Sequence, residues 1–342
     1  MHGSRSRQPI GRFVAAACCA VATLVVARDN GPYSVSDHAR LGFTLTSNAY
    51  DAANNRLYAS ARDGVYEVDT SAGKVLGQIG RVSGAGSIAF SAKQKELYLL
   101  GLHEDVLRVI DIDSRKVVRT FDAPAWFNVF YDASRDELYY LRADTKAVRV
   151  ASRVDGHTIA TLTLDEHPSF VLMDPARKRV LIRLADHDLI QVIDTTEHAI
   201  AVSWPLTADG QSAMAVDDTG TRVFVSSGKN MKMLDGQSGK EMGRISIGDQ
   251  VRSIVYDPAT QLVAALWSQS QIRVAHLGPL GLDAVQNLDT RAVVRQLFLN
   301  PTTHAILAVA TLAEADKMGI NANFAPDAGL RTSALLTLKY SK

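Results

Sequence analysis

Cysteine is nearly absent from this chain: there are two in 342 residues, adjacent at Cys18 and Cys19. Both lie in one apolar stretch near the N-terminus. The rest of the chain therefore has no disulfide, no thiol nucleophile and no cysteine metal ligand. Charge of one sign is also lacking, since 37 Lys and Arg face 36 Asp and Glu for a net charge of +1. Basic and acidic residues interleave without a basic stripe, so nothing in the charge pattern points to nucleic acid or an anionic membrane surface. Catalytic signatures are missing as well. There is no G-x-S-x-G elbow, no H-E-x-x-H, no P-loop and no C-x-x-C-H. GRVSGAG (80–86) is rich in glycine, but no helix follows it to present a dipole to a phosphate.

Long apolar runs are absent too, with one short exception. Arg5, Arg7 and Arg12 precede FVAAACCAVATLVVA (13–27), which at 15 residues is shorter than a comfortable bilayer span. A basic region, an apolar region and small residues at its end make a secretory signal peptide over 1–27. Val25-Val26-Ala27 offers cleavage before Arg28, and Ala20-Val21-Ala22 an earlier site. The alternative is a segment retained as an N-terminal anchor. Cleavage would remove both cysteines and three arginines but no acid, turning the charge of +1 into −2. The expected location is periplasmic or secreted, with no membrane span after cleavage.

What the chain does have is repetition. A β-branched or aromatic pair, an Asp, a few polar residues and an apolar strand recur seven times. The copies are AYDAANNRLYAS, AFSAKQKELYLL, FYDASRDELYYL, LMDPARKRVLIR, AVDDTGTRVFVS, VYDPATQLVAAL and FLNPTTHAILAV. Their anchors are Asp51, Ser91, Asp132, Asp174, Asp217, Asp257 and Asn300, spaced by 40, 41, 42, 43, 40 and 43 residues. Asp-Pro, Asp-Ala-Ser and Asn-Pro start tight turns, because the side chain bonds the backbone ahead and Pro presets φ. Apolar alternation on both sides of each turn predicts strands, and helical periodicity is confined to the leader. No such unit buries both its faces alone, so seven of them close into a ring. The expected fold is all-β: one seven-bladed β-propeller over 28–342, with four antiparallel strands per blade.

The last copy ends in LLTLKYSK (335–342), a third strand with no fourth. ARLGFTL (39–45) precedes the first copy with no blade of its own, and is expected to complete blade seven as its outer strand. Tyr58, Tyr98, Tyr139, Phe224 and Trp267 fall on second strands and are expected in the core.

The copy HPSFVLMDPARKRVLIRLADHDLIQVIDTTEHAIAV (167–202) resembles the YVTN/YncE-like propeller repeat: Pro before the first strand, Asp-Pro at the first turn, V-I-D-T before the fourth strand. The V-I-D-T element recurs near Asp69 and Asp111 and fades in the third and sixth copies. The resemblance covers about 39–342. It implies the propeller fold and leaves function open among binding proteins, lactonase-like enzymes and quinoprotein-dehydrogenase heavy chains. No cofactor follows from the residues, and the absence of cysteine removes one common means of holding a redox centre.

Strand direction sorts the candidate residues. The anchor turns lie on the bottom face. The turns between second and third strands, and the links between blades, lie on the top face. Top-face His103, Asp105, Asp186 and His187 are the residues most like metal ligands, although they sit in blades two and four and solvated hairpin tips are the simpler account. Trp126, Phe127, His167, Arg252 and Arg295 head the inner strands around the channel mouth, where they suit a ligand with a carboxylate and an apolar body. The long segment 312–332 replaces a short hairpin turn and is expected as a partial lid, bringing Met318 or Phe324 to that site. The leading expectation is a non-enzymatic module that binds a small molecule, peptide or protein on its top face. The alternative is a lactonase-like or quinoprotein-dehydrogenase-like enzyme using the same face.

Overall fold

The computed structural model describes residues 31–80, 82–101, 104–123, 128–142, 145–185, 188–206, 213–248, 251–278, 281–312 and 332–341. They form seven four-stranded antiparallel sheets in a ring. Six of the blades are continuous in sequence: 45–79, 85–122, 128–163, 168–205, 214–246 and 253–289. Among the described residues the one helical element is a 3₁₀ turn, Pro175–Arg177, at the blade-four anchor. No described helix is long and apolar enough to cross a membrane.

The anchors act as the turn chemistry requires. Asp51 Oδ1 accepts from the Asn54 N–H at 3.2 Å, Asp132 Oδ1 from Ser134 at 2.8 Å and Asn300 Oδ1 from Thr302 and Thr303, both at 3.0 Å. All seven anchors are buried. Four residues on, the chain enters the left-handed region at Asn55, Lys95, Asp136, Lys178, Gln261 and His304, and blade five reaches it one residue earlier at Gly220. A second set of turns closes the third and outer strands on the same face. There Asp69, Asp111, Asp194 and Asp235 accept backbone N–H bonds. Ser152 replaces that Asp in blade three, and in blade six Gly278 pairs with Gly281 at the end of the two strands.

Blade seven consists of Val293–Leu299, Ile306–Leu312 and Thr332–Tyr340, completed by an outer strand from the other end of the chain. That strand is Tyr33–Arg40, and 39–45 is not the closing segment expected from sequence. Tyr33 faces Tyr340 and Arg40 faces Ala334. Residues 41–44 are the link. The Leu41 N–H donates to Ser333 O at 2.9 Å, Gly42 turns the chain at φ +80°, and Leu45–Asp51 begins blade one. The apolar run misled because an outer strand buries only part of its surface. YSVSDHAR needs little more than Tyr33, which is 1% exposed and is held by Gln286 of blade six through N–H···Oε1 at 2.9 Å and Nε2–H···O at 2.6 Å.

The core lies between blades, as seven apolar clusters with one in each junction. Tyr58, Tyr98, Tyr139 and Phe224 are buried in them as expected. Trp267 is half-buried, with its ring so close to Gly248 that a β-carbon there would stand 2.4 Å away. The smallest cluster closes the seam between blades seven and one: Leu41, Leu57, Val68, Leu307, Val309 and Leu335.

Candidate functional site

Five residues before each anchor, where the inner strands are entered, the sequence reads Thr46, Gly86, Phe127, Ser169, Ser212, Arg252 and Arg295. Arg252 and Arg295 therefore hold the same position in adjacent blades. Arg252 is half-buried, and its N–H donates to Leu266 O at 2.9 Å. Arg295 is exposed beside a register shift between Val294 and Gln296. His167 heads blade four, where its N–H donates to Glu166 Oε1 at 3.0 Å and its ring Nε2 lies 3.5 Å from the same oxygen. The Lys146 ammonium, 3.0 Å from Glu166 Oε2, holds that carboxyl below its ordinary range. Asp105 is exposed in blade two, and its carbonyl accepts from Ala123. The fold thus sets Arg252 and Arg295 at the heads of adjacent inner strands, in blades six and seven, and keeps His167 and Asp105 in other blades. Trp126, Phe127, Met318, Phe324, His103, Asp186 and His187, together with the lid segment, lie outside the described residues. Among the described residues no group of three His, Cys, Asp or Glu is placed to hold a metal.

A deep concavity occurs on the opposite face, at the seam, and the sequence reading did not anticipate it. This cleft of about 570 Å³ is lined by the second strand, third strand and outer strand of blade seven and by two turns of blade one. Tyr50 and Tyr340 flank it, while Leu307, Leu335, Ala39 and Ala305 supply apolar surface. Its polar groups are hydroxyls and amides together with Lys339, the single charged residue in the lining among the described residues. The buried Asn300 Nδ2 donates to Asn55 Oδ1 at 2.6 Å and Tyr50 Oη at 3.3 Å, which ties blade seven to blade one.

The register explains why the cleft forms there. At one position each outer strand places a side chain over the next blade. That residue is Ile79, Phe121, Leu162, Trp204, Ile245 or Leu288 in blades one to six. In blade seven the equivalent residue, facing Leu335, is Ala39. A second position, five residues after each anchor, reads Arg56, Glu96, Glu137, Arg179, Arg222, Leu262 and Ala305. Between blades four and five, Trp204 and Arg179 fill the space. The guanidinium lies 5.3 Å from the indole centre and its Nη2 donates to Gly220 O of blade five at 3.1 Å. At the seam two alanines replace this pair.

The third strand differs at the matching place. Asp69, Asp111, Ser152, Asp194, Asp235 and His276 pair with the start of the second strand in blades one to six. One step beyond the Ile306–Leu338 pair, blade seven has Lys339. The seam is thus the one junction where the outer-strand filler is an alanine and this position is a lysine. A smaller cleft of about 400 Å³ lies between blades five and six, lined by Arg222, Met233, Gln261 and His276 among others. Alignment of the seven copies outward from their anchors would have exposed Ala305 in the sequence. Ala39 was hidden because its strand lies some 260 residues before the rest of its blade.

No family model matches the chain, and no curated protein matches it. Among solved structures, a chain of a mitotic checkpoint complex is similar with a TM-score of 0.70. The match covers 90% of this chain and 96% of that one at 13% sequence identity. Likeness at that identity supports the propeller fold and nothing finer.

Proposed function

We propose that this chain is an exported β-propeller that serves as a binding scaffold, engaging a protein, peptide or small molecule at its top face and channel mouth. The observation that carries this reading is the pair Arg252 and Arg295, at equivalent positions on neighbouring inner strands. Two arginines at equivalent positions on neighbouring blades suit a carboxylate-bearing surface, because Arg presents a planar fork of donors. The YVTN/YncE-like character of the fourth copy agrees with a binding role. So does the neighbour's membership of a protein complex. The leader at 1–27 supports export to a periplasmic or extracellular space.

The test places a photo-crosslinking residue at Ser169, on the same rim, in the full chain expressed in its own host. The expected result is a discrete crosslinked species that Arg252→Ser/Arg295→Ser reduces about tenfold, the scale of a lost charge-assisted contact. An unchanged crosslink in the double variant, or none from the rim, would contradict a top-face site. N-terminal sequencing of the exported chain should start between Thr23 and Arg28, and an intact 1–20 would rule out the leader.

A further inference from the structure

We infer that the seam cleft between blades seven and one is a second ligand site, on the face opposite the channel mouth, for a small aromatic carboxylate. The template is within the molecule. Between blades four and five the same space holds an indole, Trp204, beneath a cation, Arg179. Gly239 runs close under that indole, since a β-carbon there would be 2.3 Å from the ring. Gly156 stands in the same relation to Phe121 at the junction of blades two and three, at 2.7 Å. At the seam the glycine is kept as Gly73, where an added β-carbon would be 2.8 Å from Ala39 Cβ. The backbone that receives an aromatic ring is present there, and the ring is not.

The remaining lining sets the chemistry of what replaces it. Lys339 stands where four other blades carry Asp, so the local charge is inverted and the complementary ligand is an anion. Among the described residues no carboxylate belongs to the lining. Tyr50 Oη accepts from Asn300 and keeps its own hydrogen to donate. Leu307, Leu335, Ala39 and Ala305 give an aromatic body an apolar bed. The volume of about 570 Å³ suits a single small molecule.

The experiment titrates the full chain with indole-3-acetate and with neutral indole-3-acetamide, following heats of binding and methyl shifts in Leu307 and Leu335. Indole-3-acetate should bind at least tenfold more tightly than the amide, and Lys339→Gln should erase that preference. Ala39→Phe, which supplies the ring that Phe121 supplies elsewhere, should abolish binding of both. Arg252→Ser/Arg295→Ser should leave binding unchanged, which separates this site from the top face. Absence of binding by indole-3-acetate, equal binding of acid and amide, an acid preference that persists in Lys339→Gln, or binding that survives Ala39→Phe would overturn the inference.

Discussion

The junction between blades four and five and the seam between blades seven and one use the same positions in the same register, and they differ in what occupies them. In the first, Trp204 and Arg179 fill the space and Arg179 reaches across to blade five. In the second, Ala39 and Ala305 leave a cleft, and a neutral Asn300–Asn55 contact does the tying. Other junctions resemble the first. Glu96 pairs with Arg153 across blades two and three at 3.4 Å, and Glu137 with His198 across three and four at 2.8 Å. The ring therefore does not need every junction filled in order to close. What the seam does need is the outer strand Tyr33–Arg40, because it satisfies the edge of Thr332–Tyr340 and buries Tyr33 against blade six.

That difference sets the order of expected effects. Starting the chain at Thr46 should be the most damaging change, since it removes the outer strand of blade seven and Leu41 of the seam cluster and exposes an unpaired edge. The fragment should aggregate instead of melting cooperatively, and a monomeric fragment with a sharp melt would show that closure lies elsewhere. Next comes Trp204→Ala, which carves a seam-like cleft between blades four and five. The expected loss is roughly 3–5 kcal/mol by chemical denaturation, as for large aromatic truncations in a core. A loss below about 1 kcal/mol would mean that the indole is not a structural filler.

The junctions beyond the seam also predict a limit at high pH. Burial pushes the phenols of Tyr58, Tyr131 and Tyr140 from an ordinary 10.0 up to about 12. A raised value means that the fold holds the proton more tightly than the unfolded chain does. The associated stability is complete below pH 10 and drains away as pH rises through about 12. Tyrosinate absorbance should thus appear together with loss of near-ultraviolet dichroism between those values. Ionisation of these three phenols near pH 10 with the fold intact, read from the loss of absorbance change in their Phe variants, would contradict the packing described. The smallest effect expected is from Ala39→Leu, which gives the seam an aliphatic filler of the kind found at Leu162 and Leu288. It should stabilise by about 1 kcal/mol, less than the area gained would suggest because the lining must adjust.

Much of this architecture was legible in the sequence because it rests on local rules. Asp132-Ala-Ser and Asp174-Pro announce turns whatever lies around them, and seven such anchors at a near-constant period set the blade count. Burial of Tyr98 and Tyr139 followed from strand position alone. The misplaced closing strand shows where local rules stop. YSVSDHAR has weak apolar alternation, and its partner lies about 300 residues away. The seam cleft was invisible for a related reason, since Ala39 gains its meaning only when set beside Trp204 and Phe121 in a shared register. On the top face the sequence placed Arg252 and Arg295 at matching heights, and the structure keeps them at the heads of adjacent inner strands.

Amide hydrogen exchange by mass spectrometry of the full chain tests the central claim, that the seam is a true blade junction lacking only its filler. The peptide covering Tyr33–Arg40 should be protected to the same degree as Ala199–Pro205, the outer strand beside the filled junction. Both should exchange only with global unfolding in denaturant. Exchange of 33–40 within seconds, while 199–205 stays protected, would show that the N-terminal strand does not complete blade seven.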